Sequence, residues 1–196
     1  MGKEFALTGT DGRTVARDEE ELLEACRQGS APAFERLYEE QGARMKSIAM
    51  NLLGNASDAE DAVQETFLRV HRSVSSFRSG SSFATWVYRI LLNCCYDLMR
   101  KSRRRAEGPL PARLAHSAAG ETDHPLRLSI ENALRRLDPK ERAAFLLCEV
   151  EGFSHRETGD ILGVSEAASR TLLFRARRQL QRELRAGGAF AEGAAS

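Results

Sequence analysis

Apolar side chains recur at three- and four-residue spacing along most of the chain, a period typical of amphipathic helices. Residues 58–72 show the pattern clearly. One stripe of this segment is formed by Ala59, Val63, Thr66, Phe67 and Val70. No alternating pattern longer than a few residues predicts a strand. The sequence therefore predicts an all-α protein.

The helical pattern is interrupted once. Residues 106–123 hold two prolines, two glycines and many small residues, a composition that predicts a flexible linker. Two small helical domains are therefore expected, at residues 18–105 and 124–186. Residues 1–17, which lack periodicity, and the Gly/Ala-rich residues 187–196 are expected to be disordered ends.

Capping residues predict where helices of the first domain begin and end. Pro32 suits the first turn of a long helix, and Gly54 closes it. Asn55 or Ser57 is expected to cap the next helix, with Ser57 and Glu60 forming a capping box.

The second domain carries a helix-turn-helix pattern. Pro139 opens one helix, and Ser154 caps a short helix after it. Gly163 then begins a tight turn, and a longer helix runs from Glu166 to about Arg185. Gly159 lies where this motif needs a tiny residue for two helices to approach closely.

Charge along the chain is segregated, although the net charge is only +1. Residues 18–24 are acidic, whereas residues 100–105 and 170–185 are basic. Residues 58–72 also place an acidic face opposite their apolar stripe; the residues we call the acidic face are Asp58, Asp61, Gln64 and Glu65. Segregated charge predicts partners of both signs.

The sequence indicates a cytoplasmic location without membrane insertion. No run approaches the ~18 apolar residues of a membrane span, and the N-terminus lacks the apolar region of a signal peptide. The cysteines form no Cys-x-x-Cys pair and have no histidine at ligand spacing, so neither a metal site nor a cofactor is expected. Buried free thiols in a reducing cytosol fit Cys26, Cys94, Cys95 and Cys148 best.

Catalysis is not expected, because no nucleophile–base constellation is visible. The four histidines are scattered over predicted helix, linker and turn, at His71, His116, His124 and His155.

The last helix carries residues suited to base and phosphate contacts. A helix-turn-helix reads DNA by placing its second helix in the major groove. Arginine can bridge guanine O6 and N7, and an aromatic ring or a threonine methyl can contact thymine. The residues we call the recognition face are Arg170, Thr171, Phe174, Arg175 and Arg178.

A second candidate DNA surface lies on the helix predicted from Phe83 onward. Its flank runs into the basic sequence RKSRRR, where cations would neutralise phosphate while polar side chains read bases. The residues we call the basic flank are Arg89, Asn93, Tyr96, Arg100 and Lys101.

Several separate motifs occur in a fixed order over residues 18 to about 186. They include NLLGNASDAEDAVQETFLRVHR, SFATWVYRILLNCCYDLMR and LDPKERAAFLLCEVEGFSHRETGDILGVS. In this order and spacing the chain resembles a bacterial RNA polymerase sigma factor. It is similar to the compact extracytoplasmic-function (ECF) type, which has only the second and fourth sigma regions.

The resemblance implies a function for each surface. A sigma factor binds core RNA polymerase, delivers it to promoter DNA and helps to open the duplex. The acidic face would dock on the clamp helices of the largest catalytic polymerase subunit, and the basic flank would read the minus-ten box. The loop Ser73–Ser82 would capture a flipped-out base, and the recognition face would read the minus-thirty-five box.

The resemblance also implies control by an anti-sigma factor. The leucines expected to be exposed for such a clamp are Leu68 and Leu92.

The chain departs from the family pattern in the second domain. Thr158 stands where isoleucine is usual, Ser169 where an apolar residue is usual, and Leu172 where arginine is common. The last helix is therefore expected to rotate slightly and bury Ala168 and Leu172.

A stand-alone helix-turn-helix regulator is the main alternative. It accounts for residues 124–186 but leaves the acidic face and the basic flank unused. A hydrolytic or metal enzyme is a third possibility, which the scattered histidines oppose.

Overall fold

The computed structural model describes residues 12–78, 80–106 and 125–186. These residues form helices and turns, without a strand among them. The all-α prediction is therefore confirmed. The helices are α1 (Gly12–Arg27), α2 (Ala31–Leu53), α3 (Ala56–Ser73), α4 (Phe83–Ala106), α5 (Pro125–Arg135), α6 (Pro139–Phe145), α7 (His155–Leu162) and α8 (Glu166–Ala186). A 3₁₀ turn (Val74–Ser76) follows α3, and a π-helical turn (Leu146–Val150) follows α6.

Helix α1 begins earlier than expected, at Gly12 rather than Asp18. The predicted disorder of residues 12–17 is therefore wrong. These residues continue α1 although they carry no apolar stripe. The expectations for residues 1–11 and 187–196 lie outside the described residues. So does the predicted linker, apart from Ala106, which ends α4.

Local capping chemistry sets the ends of α2 and α3. Pro32 lies in the first turn of α2, and Gly54 ends it in the left-handed conformation at φ 70°. The Asn55 side chain caps α3 by accepting hydrogen bonds from the backbone N–H groups of Ser57 (2.9 Å) and Asp58 (3.4 Å). The expected Ser57–Glu60 capping box is wrong. Asn55 takes the free N–H groups, and Glu60 pairs with Lys46 on α2.

The first domain is a bundle of α2, α3 and α4. The predicted stripe of α3 is confirmed: Ala59, Val63, Thr66 and Val70 are buried, and Phe67 is partly buried. The Thr66 hydroxyl is satisfied within the helix, because it donates to the Ala62 carbonyl at 2.6 Å. Burial of this stripe leaves the opposite side of α3 exposed.

The predicted helix-turn-helix is present in the second domain. Ser154 and Glu157 form a reciprocal capping box at the start of α7, and Gly163 ends α7 at φ 66°. A Cβ on Gly159 would lie 2.9 Å from the Val164 carbonyl oxygen. Only glycine therefore lets α7 approach the turn this closely, as the sequence predicted.

The two domains pack against each other, with α7 and α6 lying on α4 and α2. A single apolar core contains side chains from both domains. Tyr88 of α4 meets Phe153 of the second domain edge-on, with ring centroids 4.9 Å apart. The buried members from the second domain are Ala143, Leu146, Leu147 and Ile161.

A buried arginine joins the helix ends at this boundary. Arg142 of α6 donates to the carbonyls of Asn51 (3.1 Å) and Leu52 (3.3 Å) at the C-terminal end of α2. It also donates to the carbonyls of Arg135 (2.8 Å) and Leu137 (3.2 Å) at the end of α5. Helix C-termini favour a cation, so this guanidinium stabilises both ends.

A buried carboxylate forms a second polar contact between the domains. Glu151 follows the π-helical turn, and its side chain is only 4% exposed. Its Oε2 atom accepts from Arg44 Nε at 2.7 Å and from the Tyr88 hydroxyl at 3.1 Å. Burial and the nearby Glu151 charge raise the pKa of Tyr88, which therefore remains a protonated donor. We call Arg44, Tyr88 and Glu151 the interdomain latch.

Candidate nucleic-acid interface

Helix α8 presents the recognition face to solvent. Ser169, Leu173, Ala176 and Leu180 are buried against the rest of the domain. The five recognition-face residues are all exposed, and Phe174 is 64% exposed. A phenylalanine this exposed beside three arginines suits contact with an apolar base edge between phosphates.

Two arginines at or beside this face, Arg170 and Arg177, form ion pairs within the domain. Arg170 pairs with Glu166 one turn earlier on α8. Arg177, two turns after Arg170 on α8, pairs with Glu149 of the π-helical turn at 2.5 Å. Surface pairs of this kind contribute little and exchange readily. Arg170 can therefore leave Glu166 for a stronger partner such as phosphate or guanine.

The atypical residues Thr158 and Ser169 lie in one buried polar cluster. The Cys148 thiol lies 3.2 Å from the Thr158 hydroxyl, and His155 Nδ1 lies 3.4 Å from the Ser169 hydroxyl. Burial raises the pKa of the Cys148 thiol, which keeps it in the uncharged form. Because each hydroxyl has a polar partner, the two departures from the family pattern leave no buried hydroxyl unsatisfied.

This cluster corrects the expected rotation of α8. Ser169 is fully buried, whereas Ala168 and Leu172 are only half-buried. The helix has no need to rotate, because His155 satisfies the serine in the buried position. The recognition face keeps the direction that the periodicity predicted.

The basic flank of α4 is exposed except at one residue. Arg89, Asn93, Arg100 and Lys101 are exposed. Tyr96 is not: its hydroxyl is buried and has no hydrogen-bond partner. Burial raises the pKa of Tyr96, and the charges of Asp138 and Arg142 in the second domain also act on it. Tyr96 packs, partly buried, against the core shared by the two domains, so its predicted place on an exposed flank is wrong.

Helix α4 is buried on two sides rather than one. Besides the expected stripe, Tyr88, Leu92 and Cys95 are buried at helical spacing. The expected exposure of Leu92 is wrong, because this second stripe lies in the core shared by the domains. Leu68 on α3 is 50% exposed, as expected.

The acidic face of α3 borders a shallow cleft between α3 and α4. Asp61 and Gln64 are exposed, and Glu65 is half-exposed. Glu65 pairs with Arg69 at 2.7 Å. The cleft is lined by Asp61, Gln64, Glu65, Leu68, Arg69, Asp97, Leu98 and Lys101. The three carboxylates around Leu68 and Leu98 outnumber the cations Arg69 and Lys101, a balance that suits a basic protein surface.

Asp58 plays a different part from the rest of the acidic face. It is half-buried, and its Oδ2 atom accepts from Asn55 Nδ2 at 3.3 Å. Its place in the first turn favours a negative charge there. Asp58 therefore holds the side chain of the capping residue Asn55 in place.

The segment predicted as a base-capturing loop is partly ordered by neighbouring side chains. Arg27 donates to the Phe77 carbonyl at 2.6 Å, and Ser82 Oγ accepts from the Thr85 N–H at 3.1 Å. Residue 79 lies outside the described residues. The loop faces the second domain across a cleft lined by Gly80, Ser81, Ser82, Ser154, Arg156, Glu157 and Asp160.

Cys26, Cys94, Cys95 and Cys148 are free thiols, and the first three are buried. In the described parts of the chain, no group of three His, Cys, Asp or Glu residues could hold a metal ion. None of the helices in those parts is long and apolar enough to span a membrane.

These surfaces are those of a helix-turn-helix protein whose other domain carries an additional acidic face. Two sequence families match the domains: Sigma-70 region 2 matches residues 37–105, and Sigma-70, region 4 matches residues 127–180. The chain is 31% identical over 169 residues to the ECF RNA polymerase sigma factor SigM of Mycobacterium tuberculosis, covering 86% of this chain and 85% of that protein. The chain belongs to the ECF family of RNA polymerase sigma factors.

Another relative is longer than this chain. The ECF RNA polymerase sigma factor SigE of Mycolicibacterium smegmatis is 35% identical over 167 residues, which are 79% of this chain and 62% of SigE.

Two solved structures share the fold. CnrH, solved with the cytosolic domain of CnrY, superposes with a TM-score of 0.67 at 25% identity, covering 86% of this chain and 97% of CnrH. The sigma factor RpoE of Bartonella quintana, solved with the anti-sigma factor NepR, gives 0.61 at 26% identity and covers 77% of this chain and 98% of RpoE. The stand-alone regulator is disfavoured, because it leaves the Sigma-70 region 2 match without a role.

Proposed function

We propose that the chain binds core RNA polymerase through the acidic face of α3 and directs it to promoters with α4 and α8. Residues 18–105 act as sigma region 2 and residues 124–186 as sigma region 4. The observation that supports this proposal is that the first domain exposes an acidic surface on α3 and a basic surface on α4. Asp61, Gln64 and Glu65 border the cleft on α3, while Arg89, Asn93 and Arg100 are exposed on α4.

The charge of each surface agrees with the partner that we propose for it. Carboxylates repel the phosphate backbone, so the acidic face suits a basic protein helix, with Leu68 as an apolar anchor in its cleft. The exposed arginines and Asn93 of the basic flank suit the minus-ten DNA. Asp58 supports the acidic face mainly by fixing the start of α3.

The recognition face is assigned to the minus-thirty-five box. Arg170, Arg175 and Arg178 supply guanidinium groups for guanine edges and phosphates, and Thr171 and Phe174 supply apolar contact. The chain itself performs no catalysis in this proposal, since the polymerase makes the phosphodiester bond. It acts in the cytoplasm, where bacterial polymerase and promoters are found.

An anti-sigma factor is a further proposed partner. CnrH and RpoE were solved with the proteins CnrY and NepR, the latter named as an anti-sigma factor. Leu68, which is half-exposed at the polymerase-binding cleft, offers an apolar contact for such a protein.

In vitro transcription tests the proposed function directly. Purified chain and core polymerase are incubated with fragmented genomic DNA, and transcript 5′ ends are sequenced. Start sites that share upstream boxes and need the chain support the proposal. Initiation that is identical without the chain contradicts it.

We expect Arg170→Ala and Arg175→Ala each to weaken promoter binding by the chain–polymerase complex by ~1–3 kcal/mol, because each removes a guanidinium contact to a base or phosphate. Open-complex formation on a mapped promoter is the measurement. Arg182→Ala is the matched control, since Arg182 is exposed on α8 beyond the recognition face, toward the C-terminal end of the helix. An unchanged footprint for both test variants would reject the assignment.

A further inference from the structure

Helix α1 contacts the chain on both sides of the exposed part of the base-capturing loop. Arg27 Nη2 donates to the Phe77 carbonyl at 2.6 Å, where the 3₁₀ turn ends. Glu19 Oε1 accepts from the Ala84 N–H at 3.0 Å, in the first turn of α4. Glu19 and Arg27 lie roughly two helical turns apart on α1, or about 12 Å along its axis. One helix therefore holds the two ends of the loop at a set distance.

Helix α1 is itself fixed to the first domain. Leu22 and Cys26 are buried in the apolar core. Arg27 also pairs with Glu24 on the same helix, at 3.5 Å. The side chains that reach the loop therefore extend from a packed helix, which gives them a firm base.

The Glu19 contact is part of the N-terminal cap of α4. The first N–H groups of a helix have no partner within it. The Ser82 hydroxyl accepts from the Thr85 N–H at 3.1 Å, and Glu19 takes the Ala84 N–H. A carboxylate is also favoured at the positive end of the helix dipole. The start of α4 therefore depends on one cap from the loop and one from α1.

Three aromatic rings close the base of the loop. The ring centroids of Phe77 and Phe83 lie 5.8 Å apart, and Trp86 lies 5.1 Å from Phe77 and 5.8 Å from Phe83. Phe77 and Phe83 are buried. Apolar burial brings the two ends together without a preferred direction, whereas hydrogen bonds are directional. The two contacts from α1 therefore set the direction in which the chain enters and leaves the loop.

We propose that Glu19 and Arg27 are positioning residues for base capture: from α1 they fix both ends of the loop in the geometry that receives a flipped-out promoter base. This inference deepens the proposed function and rests on it, since it takes the loop to hold the extruded base. Extruding a base costs a few kcal/mol. A loop already in the receiving geometry adds less ordering cost to that step, although neither side chain needs to touch DNA.

Removal of single bases from the DNA tests this role. The full chain is combined with core polymerase. The probe is a fluorescein-labelled single strand that carries the non-template minus-ten box of a promoter mapped by in vitro transcription. Each base of the box is replaced in turn by an abasic site, and fluorescence anisotropy measures the affinity. The position at which the parent complex loses most affinity marks the captured base.

We expect Glu19→Ala and Arg27→Ala each to lower the ratio of intact-strand to abasic-strand affinity about tenfold at that position, because fewer loops are competent to receive the base. A general loss of charge or of folded protein weakens both strands by the same factor and leaves this ratio unchanged. Glu19→Gln keeps an acceptor oxygen for the Ala84 N–H and should restore most of the ratio. Glu20→Ala is the matched control, since Glu20 is exposed on α1 and its loss changes the charge equally.

The parent ratio in both Glu19→Ala and Arg27→Ala overturns the positioning role. An equal fall in the Glu20→Ala control also overturns it. These outcomes leave the proposed function intact, because the parent complex still binds the box and still loses affinity at one position. A parent complex without any base-sensitive position contradicts base capture, and the positioning role falls with it. Failure of the parent chain to bind core polymerase in a pull-down contradicts the proposed function itself.

Discussion

A chain carrying both Asp61→Arg and Glu65→Arg is expected to lose association with core RNA polymerase in a pull-down. Both side chains border the cleft between α3 and α4, and neither contributes to the buried stripe of α3. Reversal of two charges places cations against a basic partner, and like charges across an interface cost several kcal/mol. We expect the affinity for core polymerase to fall at least ~100-fold, while duplex DNA binding through α8 is retained.

The control for this double variant is Glu35→Arg with Glu39→Arg. These glutamates are exposed on α2 and have the same spacing of four residues. The control therefore makes the same change in net charge away from the cleft, and it should bind core polymerase like the parent chain. Normal pull-down by the Asp61/Glu65 variant, or equal loss in the control, would reject the docking assignment.

The helices and the acidic face were predictable because their determinants are local. The Ala59–Val70 stripe of α3 follows the helical period, and Gly54 closes α2 through its left-handed backbone. Gly159 was also predictable, since the helix-turn-helix demands a close approach at that position. The capping residue of α3 was less certain. Asn55 and Ser57 are both good caps, and the choice depends on where the chain leaves α2.

The second buried side of α4 was not predicted, because it depends on contacts between distant segments. Tyr88, Leu92 and Tyr96 have helical spacing, which was a usable signal for a second apolar stripe. An aromatic residue beside Arg89 and Asn93, however, is equally consistent with DNA contact. Burial in the core shared by the two domains favours packing over DNA contact for these side chains.

The polar cluster in the helix-turn-helix illustrates a related limit. Thr158 and Ser169 were recognised as unusual, but their pattern did not reveal the partners that satisfy them. Cys148 and His155 supply those partners from separate segments. The hydrogen bonds preserve the direction of the recognition face that the periodicity predicts, where the departures from the family pattern suggested a rotation.

Arg142 is the clearest residue that the sequence did not single out. Within LDPKERAAF it looks like an ordinary helix-surface arginine, yet it contacts carbonyls 91 and 90 residues away in the chain. Burial lowers its pKa from a high ordinary value, and the guanidinium remains charged at neutral pH. A cation is favourable here because it meets the C-terminal ends of α2 and α5.

Arg142→Met is expected to lower the free energy of unfolding by about 3 kcal/mol. Methionine fills part of the space but leaves four carbonyl oxygens without this donor, two of them buried and two partly buried. Unsatisfied buried groups cost ~1–3 kcal/mol each before water reaches them. Urea denaturation followed by circular dichroism is the measurement. Arg142→Lys should give an intermediate loss, because an ammonium keeps the charge but lacks the planar fork that spans both helix ends.

Arg136→Met is the control for this substitution. Arg136 is exposed and pairs with Glu183 on the surface, so its loss should change the stability by less than ~0.5 kcal/mol. Equal destabilisation by the two methionine variants would contradict the helix-end role of Arg142. A large loss at Arg142 alone, with lysine in between, would show that the hydrogen-bonding fork contributes beyond the charge.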